Sequence, residues 1–229
     1  MTLPAALDWW DSGERFYQSA LDTIPDGDLD RPSLLPGWSR RHVTAHVARN
    51  ADALVNLLVW ARTGVETPMY PSPEARDAGI AGTASLPAGE LREEYAAAVR
   101  RLSQAVRGHP EGAWAAQVRT AQGRAVPASE VPWMRCREVW VHAVDLGSGA
   151  GFAGIPEDLL AALVDDVMAM WGRAGRLPDI RCVSGPHAWG GGSVTVSGPL
   201  PRLAAWLTGR GAAGGLTFDG PVPLLPAWL

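Results

Sequence analysis

Lysine is absent from this chain: all 20 of its lysine-plus-arginine residues are arginine. The chain therefore has no Schiff-base lysine, no phosphate-loop lysine and no lysine general base. A Gly-x-Ser-x-Gly nucleophile elbow is also missing, which argues against serine-hydrolase chemistry on an α/β-hydrolase fold. These absences exclude several common enzyme classes before any residue is assigned a role.

Cysteine is scarce as well, with two in 229 residues, Cys136 and Cys182. Two distant cysteines form neither a disulfide framework nor a ligand motif, so we expect a cytoplasmic protein. No stretch approaches the ~20 apolar residues of a membrane span, and the N-terminus lacks the pattern of a signal peptide. A net charge of −4 gives no reason to expect nucleic-acid or membrane-surface binding. We expect a monomer or a small homo-oligomer.

Apolar residues at three-or-four spacing predict four helices in the first 150 residues. Ser39 is the expected N-cap of the second helix, and Ser129 that of the fourth. Residues 64–87 are rich in proline and glycine and are predicted to form a long loop with at most a short helical turn, a candidate lid or pocket wall. A turn signal at Gln122-Gly123 predicts a small hairpin. The predicted helices cover residues 5–24, 39–62, 87–107 and 129–146, and together they indicate a helix bundle.

The pattern changes after the glycine-rich run at residues 147–151. A helix is predicted over residues 157–175, followed by short strands near 180–184, 193–197 and 216–218 and a short helix over 202–209. The sequence therefore predicts an α+β protein with two domains. Residues 1–147 form the helical bundle, and residues 152–229 form a small α/β domain.

The fourth helix carries an unusual stripe of polar residues. Glu138 and His142 are four apart and lie on one helical face, and Asp145 continues that line. The residues between them are apolar. Such a stripe either faces water or turns inward to hold something charged, and we interpret it as part of a metal site. Cys136 points to a different side of the helix and is not expected to act as nucleophile or ligand.

His46 is the candidate for the missing ligand, because it lies on the apolar face of the second helix. A lone histidine in that position is more often a satisfied core residue than a ligand. It meets Glu138 and His142 if the two helices pack antiparallel. Two histidines and one glutamate are a known ligand set for catalytic zinc, with the fourth position open for water or substrate.

Asp145 has two interpretations, and Glu14 has one. Asp145 either accepts a hydrogen bond from a ligating histidine, as carboxylates behind metal sites do, or acts as a proton shuttle. Glu14 interrupts the apolar stripe of the first helix and is expected to place its carboxylate in solvent. The other histidines, His42, His109 and His187, are weaker candidates for any site.

At these residues the chain resembles the mycothiol-dependent maleylpyruvate isomerase family. The resemblance is carried by LPGWS at residues 35–39 leading to HVA at 46–48, by PWMR at 132–135 leading to EVWVHAVDL at 138–146, and by AAWLTGR at 204–210. It implies a DinB-like four-helix bundle joined to a small α/β domain similar to sterol carrier proteins. It also implies that His46, Glu138 and His142 hold zinc and that a basic residue of the second domain, best matched by Arg210, binds substrate carboxylates.

The function that the resemblance implies is cis–trans isomerisation. Zinc would bind the thiol of mycothiol, and the thiolate would add to the double bond of maleylpyruvate or a related cis-enedioyl acid. Rotation and elimination would then give fumarylpyruvate. The same zinc–thiol site also suits a mycothiol S-transferase, and a metal-binding protein without turnover is the third alternative, because a fold does not fix a reaction.

Overall fold

The computed structural model describes residues 2–228. Its internal contacts divide the chain into an N-terminal unit, residues 1–149, and a C-terminal unit, residues 150–229. The N-terminal unit is helical apart from one small hairpin, whereas the C-terminal unit combines helices with a four-stranded sheet. The prediction of an α+β fold is confirmed.

The N-terminal unit contains five α-helices. Helix α1 packs along α5, and α2 packs against α3, α4 and α5, so α2 lies at the centre of the unit. The helices are α1 (Leu3–Asp22), α2 (Arg40–Thr63), α3 (Pro73–Ala84), α4 (Ala88–Arg107) and α5 (Val131–Asp145).

Helix α2 begins and ends as its sequence predicts. Ser39 caps its first turn in a capping box with His42, which satisfies amide groups that have no partner within the helix. Gly64 ends the helix with φ +73°, a left-handed conformation that glycine adopts without steric cost. His46 lies in the second turn of this helix and is buried.

Helix α3 corrects the prediction that residues 64–87 form a loop. The hydroxyl of Ser72 accepts a hydrogen bond from the amide of Ala75, and Pro73 occupies the first turn, where it has no amide to satisfy. Ile80 and Ala84 then pack with residues of α2 and α4 in a small apolar cluster. This burial stabilises a helix in spite of two internal glycines. The bundle therefore has a fifth helix that the periodicity did not indicate.

A buried ion pair joins α1 to α5. The guanidinium of Arg135 is fully buried, and its Nε lies 2.7 Å from Oε1 of Glu14. Its Nη1 donates to the carbonyl of Val47, at 2.6 Å, and to Oδ1 of Asn50, at 3.1 Å. Glu14 also accepts hydrogen bonds from two aromatic side chains, Trp10 and Tyr95.

The prediction that Glu14 faces solvent is therefore wrong. Its side chain is 12% exposed, because a buried arginine requires a counter-charge inside the bundle. The pair and its hydrogen bonds connect α1, α2, α4 and α5 at one level of the N-terminal unit.

The predicted hairpin is present. Strand β1 (Gln117–Arg119) pairs antiparallel with β2 (Ala125–Pro127). Gly123 has φ +80° in the connecting turn, which favours glycine at that position.

The C-terminal unit contains α6 (Glu157–Arg173), α7 (Leu200–Leu207) and a sheet of order β4-β3-β5-β6. Strands β3 and β5 are parallel, and the two outer pairs are antiparallel. Strand β4 is not among the strands predicted from the sequence. The strands are β3 (Ile180–Ser184), β4 (His187–Gly190), β5 (Val194–Ser197) and β6 (Thr217–Phe218). None of the helices described is both long enough and apolar enough to span a membrane.

Candidate metal centre

Helix α5 brings the polar stripe into the interior of the N-terminal unit. Pro132 lies in its first turn, and Glu130 rather than the predicted Ser129 is the N-cap residue. A short 3-10 turn, Ala128–Glu130, precedes the helix and occupies the predicted cap position. Most of α5 is buried, so polar groups on this helix need partners inside the protein.

Helices α2 and α5 run antiparallel and are joined near one end. The Nε and Nη2 atoms of Arg40, at the start of α2, donate to the carbonyls of Leu146 and Gly147, each at 3.0 Å. The amide of Leu34 donates to the carbonyl of Asp145 at 2.8 Å. These bonds satisfy carbonyls that the end of α5 leaves without helical partners.

His46 from α2 meets Glu138 and His142 from α5 at one point. The Nε2 atoms of His46 and His142 lie 2.9 Å and 3.2 Å from the same oxygen, Oε2 of Glu138. The two imidazole rings are 4.8 Å apart at an interplanar angle of 89°. The side chains are between 9% and 17% exposed, so the cluster is nearly buried.

This cluster has the composition and spacing of a metal site. Among residues 2–228, His46, Glu138 and His142 each offer one potential ligand atom, and these three atoms lie within 4.8 Å of one another. A tetrahedral zinc ion with bonds of about 2 Å separates its ligand atoms by roughly 3.3 Å. The distances from Oε2 of Glu138 to the two Nε2 atoms, 2.9 Å and 3.2 Å, are within a few tenths of an ångström of that value. Three ligands from rigid helices leave a fourth coordination position for another molecule.

Asp145 lies behind His142 rather than beside the three ligands. Its Oδ2 is 2.8 Å from Nδ1 of His142, and its side chain is fully buried. A carboxylate in this position accepts a hydrogen bond from Nδ1–H, which leaves the lone pair of Nε2 free to bind a cation. This geometry favours the first of the two roles that the sequence left open.

The electrostatics of the cluster follow from burial and close pairing. Burial lowers the pKa of His46, and its hydrogen bond with Glu138 opposes that shift. Burial also disfavours charge on His142, but Asp145 and Glu138 outweigh it and raise the pKa of His142 to about 9. Burial opposes ionisation of Glu138, yet the two histidines hold its pKa well below the usual value. An ionised carboxylate at the centre of the cluster is the charge state that a cation needs.

Two side chains contact His46 besides Glu138 and His142, and a third lies against one of them. The ring of Trp38 lies edge-on to His46 with centroids 5.5 Å apart. From α3, Nη2 of Arg76 lies 3.5 Å from Nδ1 of His46. The guanidinium carbon of Arg76 is 5.9 Å from the ring centre of Tyr70. Arg76 was not predicted as a site residue, because its segment is predicted to be a loop.

The remaining candidates lie elsewhere. Arg210 belongs to the C-terminal unit, where it donates to the carbonyl of Thr208 and lies over the ring of Trp228 at 5.8 Å. His42 is engaged in the cap of α2, and His187 stacks on Trp189 in β4. None of these residues belongs to the three-ligand cluster.

The fold and site define a helical-bundle protein with a two-histidine, one-glutamate centre. A family model described as the mycothiol maleylpyruvate isomerase N-terminal domain matches residues 9–147. A crystal structure of a mycothiol-dependent maleylpyruvate isomerase is 42% identical and superposes with a TM-score of 0.93, covering 100% of this chain and 98% of that one. A crystal structure of a histidine-to-alanine mutant of such an isomerase gives the same values. No curated protein sequence matches the chain.

This chain belongs to the mycothiol-dependent maleylpyruvate isomerase family. The family predicted from the three motifs is confirmed, and so is the prediction that the chain is an enzyme.

Proposed function

We propose that this protein is a zinc enzyme that uses mycothiol to isomerise maleylpyruvate, or a related cis-enedioyl acid, to the trans isomer. The observation that carries the proposal is the convergence of His46, Glu138 and His142 on one point in a chain that matches a mycothiol-dependent maleylpyruvate isomerase along its whole length. The partners are then a small dicarboxylic acid and a low-molecular-weight thiol.

His46, Glu138 and His142 would hold the zinc ion. Zinc lowers the pKa of a thiol that coordinates it, so that the thiolate is available at neutral pH. Mycothiol supplies a thiolate that adds reversibly to the activated double bond, so that the bond rotates before the thiolate leaves.

The protein's own residues prepare this site in two ways. Glu138 stays ionised between the two imidazoles, which provides a negative charge for a cation. Asp145 holds His142 in the tautomer that presents a lone pair from Nε2. We therefore assign Asp145 a positioning role.

Arg210 is proposed to bind a carboxylate of the substrate, on the strength of its place in the AAWLTGR motif. Arginine offers two parallel N–H donors to a carboxylate, which lysine does not. Arg210→Lys keeps the charge and is expected to raise KM for the acid more than it lowers kcat. Wild-type KM in this variant would contradict the role.

The reaction is tested by incubating zinc-loaded protein with maleylpyruvate in the presence and absence of mycothiol. Loss of the maleylpyruvate absorbance only when thiol is present, with a product of unchanged mass, is the expected result. A stable thiol adduct in the mass spectrum would instead identify an S-transferase. No change in either measurement would identify a metal-binding protein without turnover.

The ligand set is tested by measuring the zinc content of variants. His46→Ala and Glu138→Ala are each expected to lose stoichiometric zinc and activity while keeping their helical circular dichroism. His187→Ala removes a histidine from the C-terminal unit and serves as the control, with zinc content unchanged. Full zinc retention by both ligand variants would overturn the assignment.

A further inference from the structure

The two histidines of the cluster differ in what faces the ring nitrogen remote from Glu138. Nδ1 of His142 faces a carboxylate oxygen of Asp145 at 2.8 Å. Nδ1 of His46 faces a guanidinium nitrogen of Arg76 at 3.5 Å. One imidazole therefore has a built-in acceptor at this position, and the other has a cationic donor.

This difference matters once both Nε2 atoms act as ligands. A neutral imidazole that ligates through Nε2 carries its proton on Nδ1, so that nitrogen is a donor. Asp145 accepts a hydrogen bond from the Nδ1–H of His142. The N–H of His46 instead points toward the N–H groups of Arg76, which has no acceptor to offer. An acceptor that both donors reach would satisfy them together.

The surroundings suit a small anion at this point. His46 is nearly buried, whereas the Arg76 side chain is 32% exposed and so accessible from solvent. The other end of the guanidinium pairs with Asp77, whose side chain is 72% exposed. Such a surface pair is weak and does not use the Nη2 donors that face His46. The rings of Trp38 and Tyr70 border the position and limit its hydration.

We propose that Arg76 and the Nδ1–H of His46 form a carboxylate subsite for the substrate. This subsite rests on the proposed function, because the isomerised acid has to present a carboxylate next to the reacting double bond. It uses the ring nitrogen of His46 that is remote from Glu138, so it does not compete with the three ligand atoms. Arg76 is then a binding residue of the N-terminal unit, supplied by the helix that the sequence did not reveal.

The subsite is tested by calorimetric titration of maleate, a small cis-dicarboxylate, into zinc-loaded protein without thiol. Arg76→Met is expected to weaken maleate binding about tenfold or more, since it removes a hydrogen bond between two charged groups. Arg76→Lys is expected to lie between the two, because it keeps the charge but loses the planar fork. Arg100→Met, on α4, is the matched control and should bind maleate as the wild type does.

Steady-state kinetics separate this subsite from the reaction itself. Arg76→Met should raise KM for maleylpyruvate about tenfold and leave KM for mycothiol and the zinc content unchanged. Isomerisation with wild-type KM and wild-type maleate affinity in Arg76→Met would overturn the subsite while the proposed function stands. Maleate binding that depends on Arg76 in a protein without isomerase activity would support the subsite and overturn the function. Loss of zinc from Arg76→Met, or no maleate binding by the wild type, would overturn the subsite.

Discussion

The buried pair of Glu14 and Arg135 allows a sharp test of what holds the bundle together. Glu14→Leu leaves a fully buried guanidinium without its counter-charge. Removing one partner of a buried ion pair costs about 3–5 kcal/mol, since the remaining charge has lost its hydration and its partner. For a domain of roughly 150 residues this corresponds to a fall of about 10 °C in melting temperature.

The double variant Glu14→Leu/Arg135→Met separates the charge from the packing. Met fills much of the volume of the arginine stem, and no buried charge remains. The carbonyl of Val47 and the hydroxyl of Tyr95 still lose partners, so recovery is incomplete. We expect the double variant to be about 2 kcal/mol more stable than Glu14→Leu alone.

Urea unfolding followed by circular dichroism measures both effects, with a chelator present so that metal binding adds nothing to stability. Asp11→Asn is the control, because it removes a carboxylate from the same helix whose side chain is 72% exposed, and its midpoint should equal that of the wild type. If the free energy of unfolding of Glu14→Leu lies within 1 kcal/mol of the wild-type value, which is below the range for buried pairs, Glu14 does not stabilise the bundle as the counter-charge of Arg135. A double variant less stable than Glu14→Leu would contradict this role as well.

Three further predictions concern the core and its titrating groups. In metal-free protein, burial lowers the pKa of His142, but Asp145 and Glu138 outweigh burial and raise that pKa from 6.5 to about 9. Protonated His142 therefore stabilises the fold fully below pH 6.5, and this stabilisation is lost as the pH rises through 9. The urea midpoint measured in chelator should fall over that interval. Gly13→Ala would place a methyl group 2.6 Å from the indole nitrogen of Trp140 and should cost about 1–3 kcal/mol, whereas Gly112→Ala meets open space and should unfold as the wild type does. Burial raises the pKa of the Cys136 thiol, so this thiol should react with a thiol reagent at pH 8 only as fast as the protein unfolds.

The helices that line the core were predictable because each carries a long apolar stripe. Helix α4 is an example, with Leu91, Tyr95, Ala98 and Leu102 all buried on one side. The glutamate and histidine on α5 were equally visible, because helical spacing alone places them on one face. Their contact with His46 joins residues that are 92 positions apart in the sequence, and the spacing predicts it only if the two helices run antiparallel.

Other features were hidden because their stabilising partners are distant in sequence. Helix α3 contains Gly79 and Gly82, which count against a helix in any local window. Its stability comes from burying Ile80 and Ala84 against other helices. Glu14 was assigned to solvent because its partner lies 121 residues later. In each case tertiary packing overrides the local signal. Arg76, which lies beside His46, was not predicted for the same reason.

The hydrogen bonds from Arg40 to the end of α5 act as a fixed pivot for the two ligand helices. At a rise of 1.5 Å per residue, His46 lies about 9 Å along α2 from that pivot, and His142 about 6 Å along α5. Both distances are shorter than two helical turns, so bending of the distant helix ends moves the ligand atoms very little. One inserted residue between Arg40 and His46 would instead rotate the imidazole by about 100° and turn it away from Glu138. The centre therefore tolerates variation in helix length beyond the ligands, but the residue count between pivot and ligand is fixed.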